Sequence, residues 1–124
     1  MRMRGKARVL FFASAFLFSE LAWAQTPDLK DIQTRISWYR AWLDQAGSSG
    51  SRFWLRLDSS KRPHRLFVGD GFLHAEANAQ EEFIEIFSRY LAGHPDKNKL
   101  IDIYDPNSGK WIGEYGFGGF RLFP

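Results

Sequence analysis

The sequence predicts an α+β domain, a largely antiparallel sheet covered by helices, and three observations carry that expectation. Residues 78–93 have the apolar spacing of an amphipathic helix, stretches on both sides of them alternate with period two, and turn chemistry separates those stretches at short intervals. The predicted order is α-β-β-β-α-β-β in one small domain spanning residues 25–124.

The first 24 residues stand apart. Arg2, Arg4, Lys6 and Arg8 form a basic stub, residues 9–18 are an apolar run, and Ala22-Trp23-Ala24 places small residues at −3 and −1 of a cleavage site. This is the pattern of a secretory signal peptide. It is too short for a membrane span, which needs about 20 apolar residues, because Ser19 and Glu20 interrupt it. Cleavage would leave Gln25 first and a protein exported to the periplasm or beyond, with no membrane span. The chain contains no cysteine, so disulfides play no part even in an oxidising compartment.

Without the signal, 13 Lys and Arg face 13 Asp and Glu, and the formal charge of +3 disappears. The balance argues against nucleic acid and against anionic membranes as partners. About 100 residues suffice to bury roughly two thirds of the unfolded chain's surface, and the aromatic content supplies a core without cross-links.

Thr26-Pro27-Asp28 reads as a helix start, with the helix running to Ala46 and stopping at Gly47. Leu29, Ile32, Ile36, Tyr39 and Leu43 form its core stripe, and Trp38 and Trp42, about 100° round, are expected to widen the buried face. Residues 52–58 alternate as a half-buried strand, with Phe53, Leu55 and Leu57 on one side and Trp54, Arg56 and Asp58 on the other. Residues 59–63 turn into a second strand over 64–68. Gly69-Asp70 suits a two-residue hairpin, so residues 71–75 are predicted to return as a third strand.

In the helix over 78–93, Ala79, Phe83, Ile84, Ile86, Phe87, Tyr90 and Leu91 share an arc of about 160° at ~100° per residue. Asn78 with Glu81 forms a predicted capping box, Glu81 and Glu82 suit the positive end of the dipole, and Arg89 can pair with Glu85. Gly93 can close the helix in the left-handed conformation, and Pro95 prevents its continuation. Residues 100–104 and 110–115 then form a hairpin around Asp105-Pro106-Asn107-Ser108-Gly109. The tail, with Phe117, Phe120 and Phe123 among glycines, has the composition of a last edge strand ended by Pro124.

Candidate chemistry is sparse. His64, His74 and His94 lack the i, i+4 spacing of a zinc helix. Asp70, His74 and Glu76 would share the neighbourhood of the predicted third strand and could supply three metal ligands. Asp102, the one acid within an apolar strand, is the other candidate centre; pairing Ile103 with Ile112 would place Glu114 opposite Ile101 and keep the two carboxylates apart. The 105–109 loop fails as a calcium site, because its glycine falls one place early and Gly116 stands where the bidentate glutamate belongs. The serines lack the context of a nucleophile. None of these patterns calls for a cofactor.

What remains is aromatic. If Ile101, Ile103 and Ile112 face the core, then Tyr104, Trp111 and Tyr115 share the opposite face, extended by Trp54 and Arg56. Rings with polar handles suit a binding surface. The expected function is a non-catalytic module of the bacterial envelope that binds another envelope protein or an envelope ligand through this neutral aromatic face. A small hydrolase or metal-assisted enzyme centred on Asp70, His74 and Glu76, or on Asp102, is the alternative.

Overall fold

A computed structural model describes residues 28–48 and 50–124; the predicted signal peptide and the Thr26-Pro27 helix start lie outside the described residues. Among the described residues the elements are α1 (Leu29–Ala46), β1 (Trp54–Asp58), β2 (His64–Val68), α2 (Asp70–Leu73), α3 (Ala77–Ala92), β3 (Ile101–Tyr104), β4 (Trp111–Gly116) and β5 (Gly119–Leu122). The α+β class is as predicted, with one strand replaced by a helix and the tail pairing as β5. No helix among the described residues is long and apolar enough to cross a membrane.

The sheet has strand order β1-β2-β3-β4-β5, antiparallel throughout except between β2 and β3. Parallel neighbours need a crossover, and α2 and α3 supply it. The predicted third strand is therefore absent. Gly69 instead caps α2, and its φ of −109° is open to any residue. Its requirement is close approach: Gly69 N–H donates to Phe53 O at 3.0 Å and Gly71 N–H to Arg52 O at 2.9 Å, tying the crossover to the chain entering β1.

The crossover helix α3 supplies the largest share of the core. Phe83, Ile84 and Phe87 pack with Phe72 of α2, Leu43 of α1 and the inward residues Leu66, Val68, Ile101 and Ile103 of the central strands. Gly93 closes α3 in the left-handed conformation at φ 68°, as predicted. The start differs. Glu76 is the N-cap without a side-chain bond, and the first turn holds no acid, so the Asn78–Glu81 box does not form. The tight link from α2 displaces it, leaving buried Gln80 to donate to Phe72 O at 2.8 Å.

Helix α1 is capped by Asp28, which accepts from Asp31 N–H at 2.9 Å. Only Tyr39 and Leu43 are buried in it. The predicted stripe extends past the core at its N-terminal half, where Leu29 is 69 % exposed, and Trp38 lies 61 % exposed instead of buried. Trp42 is exposed as well, at 36 %, although its ring comes within 6.2 Å of that of Phe83.

Two bulges decide which side chains face which way. In β1, Trp54 pairs with Val68 and Arg56 with Phe67, leaving Leu55 as the extra residue. In β4, Gly113 pairs with Ile103 and Trp111 with Tyr104, leaving Ile112 as the extra residue. An added residue reverses the alternation beyond it. Leu55 is accordingly exposed, and Trp54 packs inward with Leu57.

Candidate functional site

The helices and the core lie on one face of the sheet; no described element covers the other. Along β2 and β3, His64, Leu66, Val68, Ile101 and Ile103 are buried while Arg65, Phe67, Asp102 and Tyr104 between them are half-buried, the pattern of a sheet with one wet face. Strand pairing aligns the outward residues in two rows.

The first row is charged. Asp58 lies opposite Arg65, Arg65 beside Asp102, Asp102 opposite Glu114 and Glu114 opposite Arg121, one residue from every strand. Strands about 4.8 Å apart make this a row of roughly 19 Å. Arg121 donates from Nε to Glu114 Oε2 at 3.0 Å and brings Nη2 to the same oxygen at 3.0 Å.

The second row is aromatic. Arg56 pairs with Phe67, Phe67 with Tyr104 and Tyr104 with Trp111, and Phe123 follows, its ring 4.8 Å from that of Trp111. The Arg56 guanidinium sits 3.8 Å over the Phe67 ring, and Phe67 stacks on Tyr104 at 5.3 Å and 28°. At the other end Arg121 lies 5.3 Å from the Phe123 ring, so it joins both rows. Exposed cation–π contacts are each worth about 0.5–1 kcal/mol.

The expected aromatic face is thus half correct. Tyr104 and Trp111 belong to it, and Trp111 is 46 % exposed. Trp54 and Tyr115 do not. The bulge at Leu55 turns Trp54 inward, where Nε1 donates to Leu43 O at 2.7 Å and the ring meets Phe87 edge-on at 5.2 Å. The bulge at Ile112 places Tyr115 opposite Ile101, under α3, where burial first and then the charges of Glu85 and Glu81 raise its pKa against the opposing pull of Arg89. Phe67, Phe123 and Arg121 belong to the face and were not expected there. Only cross-strand register shows that Phe67 and Tyr104 are neighbours.

The same bulge brings together the carboxylates that the sequence kept apart. Asp102 stands directly opposite Glu114. Burial, and secondarily the Glu114 charge, push the Asp102 pKa above its ordinary value, with Arg65 pulling the other way. A raised folded-state pKa means that the native state takes up the proton first. This contribution to stability is present below the unfolded-state pKa and is lost as pH rises through the folded one. Asp102→Asn should therefore melt higher than wild type at pH 7, with the difference closing as the solution is acidified past that range. A constant difference across the titration, or a lower melting point at pH 7, would contradict this account.

The histidine-centred candidate is dispersed. Asp70 opens α2, His74 follows its end with Nδ1 2.9 Å from the backbone carbonyl of Asp70, and Glu76 caps α3. All three are exposed, in the helical layer, away from Asp102 on the open face. Among the described residues no group of three or more His, Asp or Glu is placed to hold a metal ion. Polar partners explain the remaining loops: Asp105 N–H donates to Lys110 O at 2.9 Å and Asn107 N–H to Asp105 Oδ1 at 2.9 Å, as the turn residues predict.

No protein-family model matches the chain, and searches of curated proteins and of solved structures give no significant match.

Proposed function

We infer that this chain is a small exported module of the bacterial envelope that acts without catalysis, by binding another protein through the open face of its sheet. The row Arg56, Phe67, Tyr104, Trp111 and Phe123 is the observation that supports this reading. Arginine, tyrosine and tryptophan are the residues that dominate binding energy at protein interfaces. Phe67 and Tyr104 already stack on each other, so they present edges and not faces to a ligand. That arrangement suits an irregular apolar protein surface better than a flat sugar ring.

Charge supports the same choice. Arg56, Arg65 and Arg121 offset Asp58, Asp102 and Glu114 across the two rows. A neutral face neither steers nor repels, so complex formation should depend weakly on salt. The basic stub, apolar run and Ala22-Trp23-Ala24 site support export.

Trp111→Ala should leave the melting temperature nearly unchanged while weakening the partner captured from envelope extract by about 30-fold or more, the effect of losing a hot spot worth ≥2 kcal/mol. The captured protein should stay bound at high salt, and mass spectrometry of the same preparation should read Gln25 as the first residue. Retention of the partner by the mutant would remove the surface from consideration, and Met1 intact would remove export. The pairing of Asp102 with Glu114 favours a second reading, a hydrolase using those two carboxylates. Under it Asp102→Asn would abolish turnover of a hydrolysable substrate; under the first it leaves partner capture largely intact.

A further inference from the structure

The balance of 13 cations and 13 acids beyond residue 24 holds in number but not in position. At the end of the sheet where β2 and β3 begin and β4 turns into β5, Arg62, His64, Lys99, Leu100 and Phe117 line a cleft of about 460 Å3 that no carboxylate lines. Lys61 and Lys97 extend the charge along the same two loops. The acids nearest in sequence are Asp102, on the open face of the sheet beside Arg65; Glu114, bonded to Arg121 at 3.0 Å; Asp96, exposed; and Asp58, whose Oδ1 already accepts from Ser60 N–H at 2.9 Å and Ser60 Oγ at 2.6 Å.

The cations of the cleft are held in place. Arg62 Nη1 donates to the backbone carbonyls of Ser59 and Lys61. The fully buried Ser88 clamps the backbone of Lys99: its Oγ accepts from Lys99 N–H at 2.8 Å and donates to Lys99 O at 2.6 Å. Between them His64 is 5 % exposed, with Nδ1 2.8 Å from Ser59 Oγ. Burial, and then Arg62 and Lys99, lower its pKa, so it is neutral at pH 7.

Phe117 is the anomaly at this site. It is 100 % exposed at the tip of the β4–β5 hairpin, with Gly116 before it and Gly118 after it, and Leu100 on the cleft wall is 38 % exposed. A fully exposed phenylalanine adds nothing to the core and gains only when an outside phase takes it from water. An apolar tip that shares a cleft with Arg62 and Lys99 matches the boundary between acyl chains and acidic headgroups.

We propose that this end of the protein docks on an anionic phospholipid surface, with Phe117 entering the headgroup–acyl boundary and Arg62, Lys99, Lys61 and Lys97 meeting the phosphates. A soluble phosphate would satisfy the cations and leave Phe117 in water; a bilayer satisfies both. The contact uses the end of the sheet, separate from its open face, so the protein partner inferred above stays accessible on the membrane.

The chain has no cysteine of its own, so Phe117→Cys and, on the opposite hairpin, Asn107→Cys each accept one environment-sensitive fluorophore. The residue-117 label should shift to the blue with vesicles of phosphatidylglycerol and phosphatidylcholine but not with phosphatidylcholine alone, and salt should reverse the shift. The residue-107 label should not respond. Arg62→Ser combined with Lys99→Ser should reduce vesicle partitioning about 25-fold, at about fivefold per cation, and Phe117→Ser about tenfold. If the first pair melts low, Lys61→Ser with Lys97→Ser replaces it. The N-terminal segment is the same in every protein compared, so it cancels. Equal response at residues 107 and 117, equal binding to neutral vesicles, or cation variants that partition like wild type would overturn the proposal. So would release by inorganic phosphate but not by chloride of equal ionic strength, which would indicate a phosphate site, or a residue-117 response to an envelope protein without lipid.

Discussion

Phe83→Ala is expected to destabilise the domain by about 3–5 kcal/mol, the range for a fully buried phenylalanine whose cavity cannot collapse. Phe83 is 0 % exposed. Its ring has four aromatic neighbours, Trp42, Phe53, Phe72 and Phe87, at centroid distances of 6.2, 5.3, 5.9 and 5.7 Å. These come from α1, from the approach to β1, from α2 and from α3 itself, so the truncation loosens the docking of three other segments at once. At about 4–8 °C per kcal/mol for a domain of this size, the melting temperature should fall by more than about 12 °C. The exposed neighbour Glu82, already past the first turn of α3, should tolerate alanine within about 0.5 kcal/mol. Similar midpoints for the two variants would mean that α3 turns a different face to the sheet.

The second large effect is expected at a glycine. A Cβ on Gly71 would press against the carbonyl oxygens of Ser51 and Arg52, and the Arg52 carbonyl is the acceptor of Gly71's own N–H at 2.9 Å. Backbone cannot yield as a flexible side chain does. Either the hydrogen bond breaks or the crossover moves off the start of β1. Gly71→Ala should therefore cost about 1–3 kcal/mol or more, as for overpacking, with an unchanged denaturant slope and a lower midpoint. Gly118→Ala serves as the control, because nothing lies within 4 Å of the Cβ it would add. Should Gly71→Ala match that control, the close approach of the crossover to β1 is not a constraint on the fold.

The same glycine illustrates how the sequence misleads. Gly69-Asp70-Gly71 has the composition of a hairpin turn, and local chemistry alone favours one. Parallel pairing of β2 with β3 requires a crossover instead, and nothing within residues 64–75 announces which strand β2 will join. The open face was likewise half legible. Tyr104 and Trp111 followed from the alternation of Ile101, Ile103 and Ile112, whereas Trp54 and Tyr115 were misplaced and the contact of Asp102 with Glu114 was missed, each by a bulge of one residue.

By itself the sequence determined those features whose causes lie within a turn or two of chain. They are the apolar arc of α3, its end at Gly93, the strand over His64–Val68, and the loop that joins Asp105 to Lys110. Their signals are short-range: a period, a left-handed glycine, a side chain bonding to the backbone two residues on. Tertiary structure alone decided the parallel pairing, the helical crossover and the identity of the rows on the open face. A strand's side chains alternate with period two, so the extra residues Leu55 and Ile112 exchange inside for outside, and only packing across the sheet sets where such an extra residue sits.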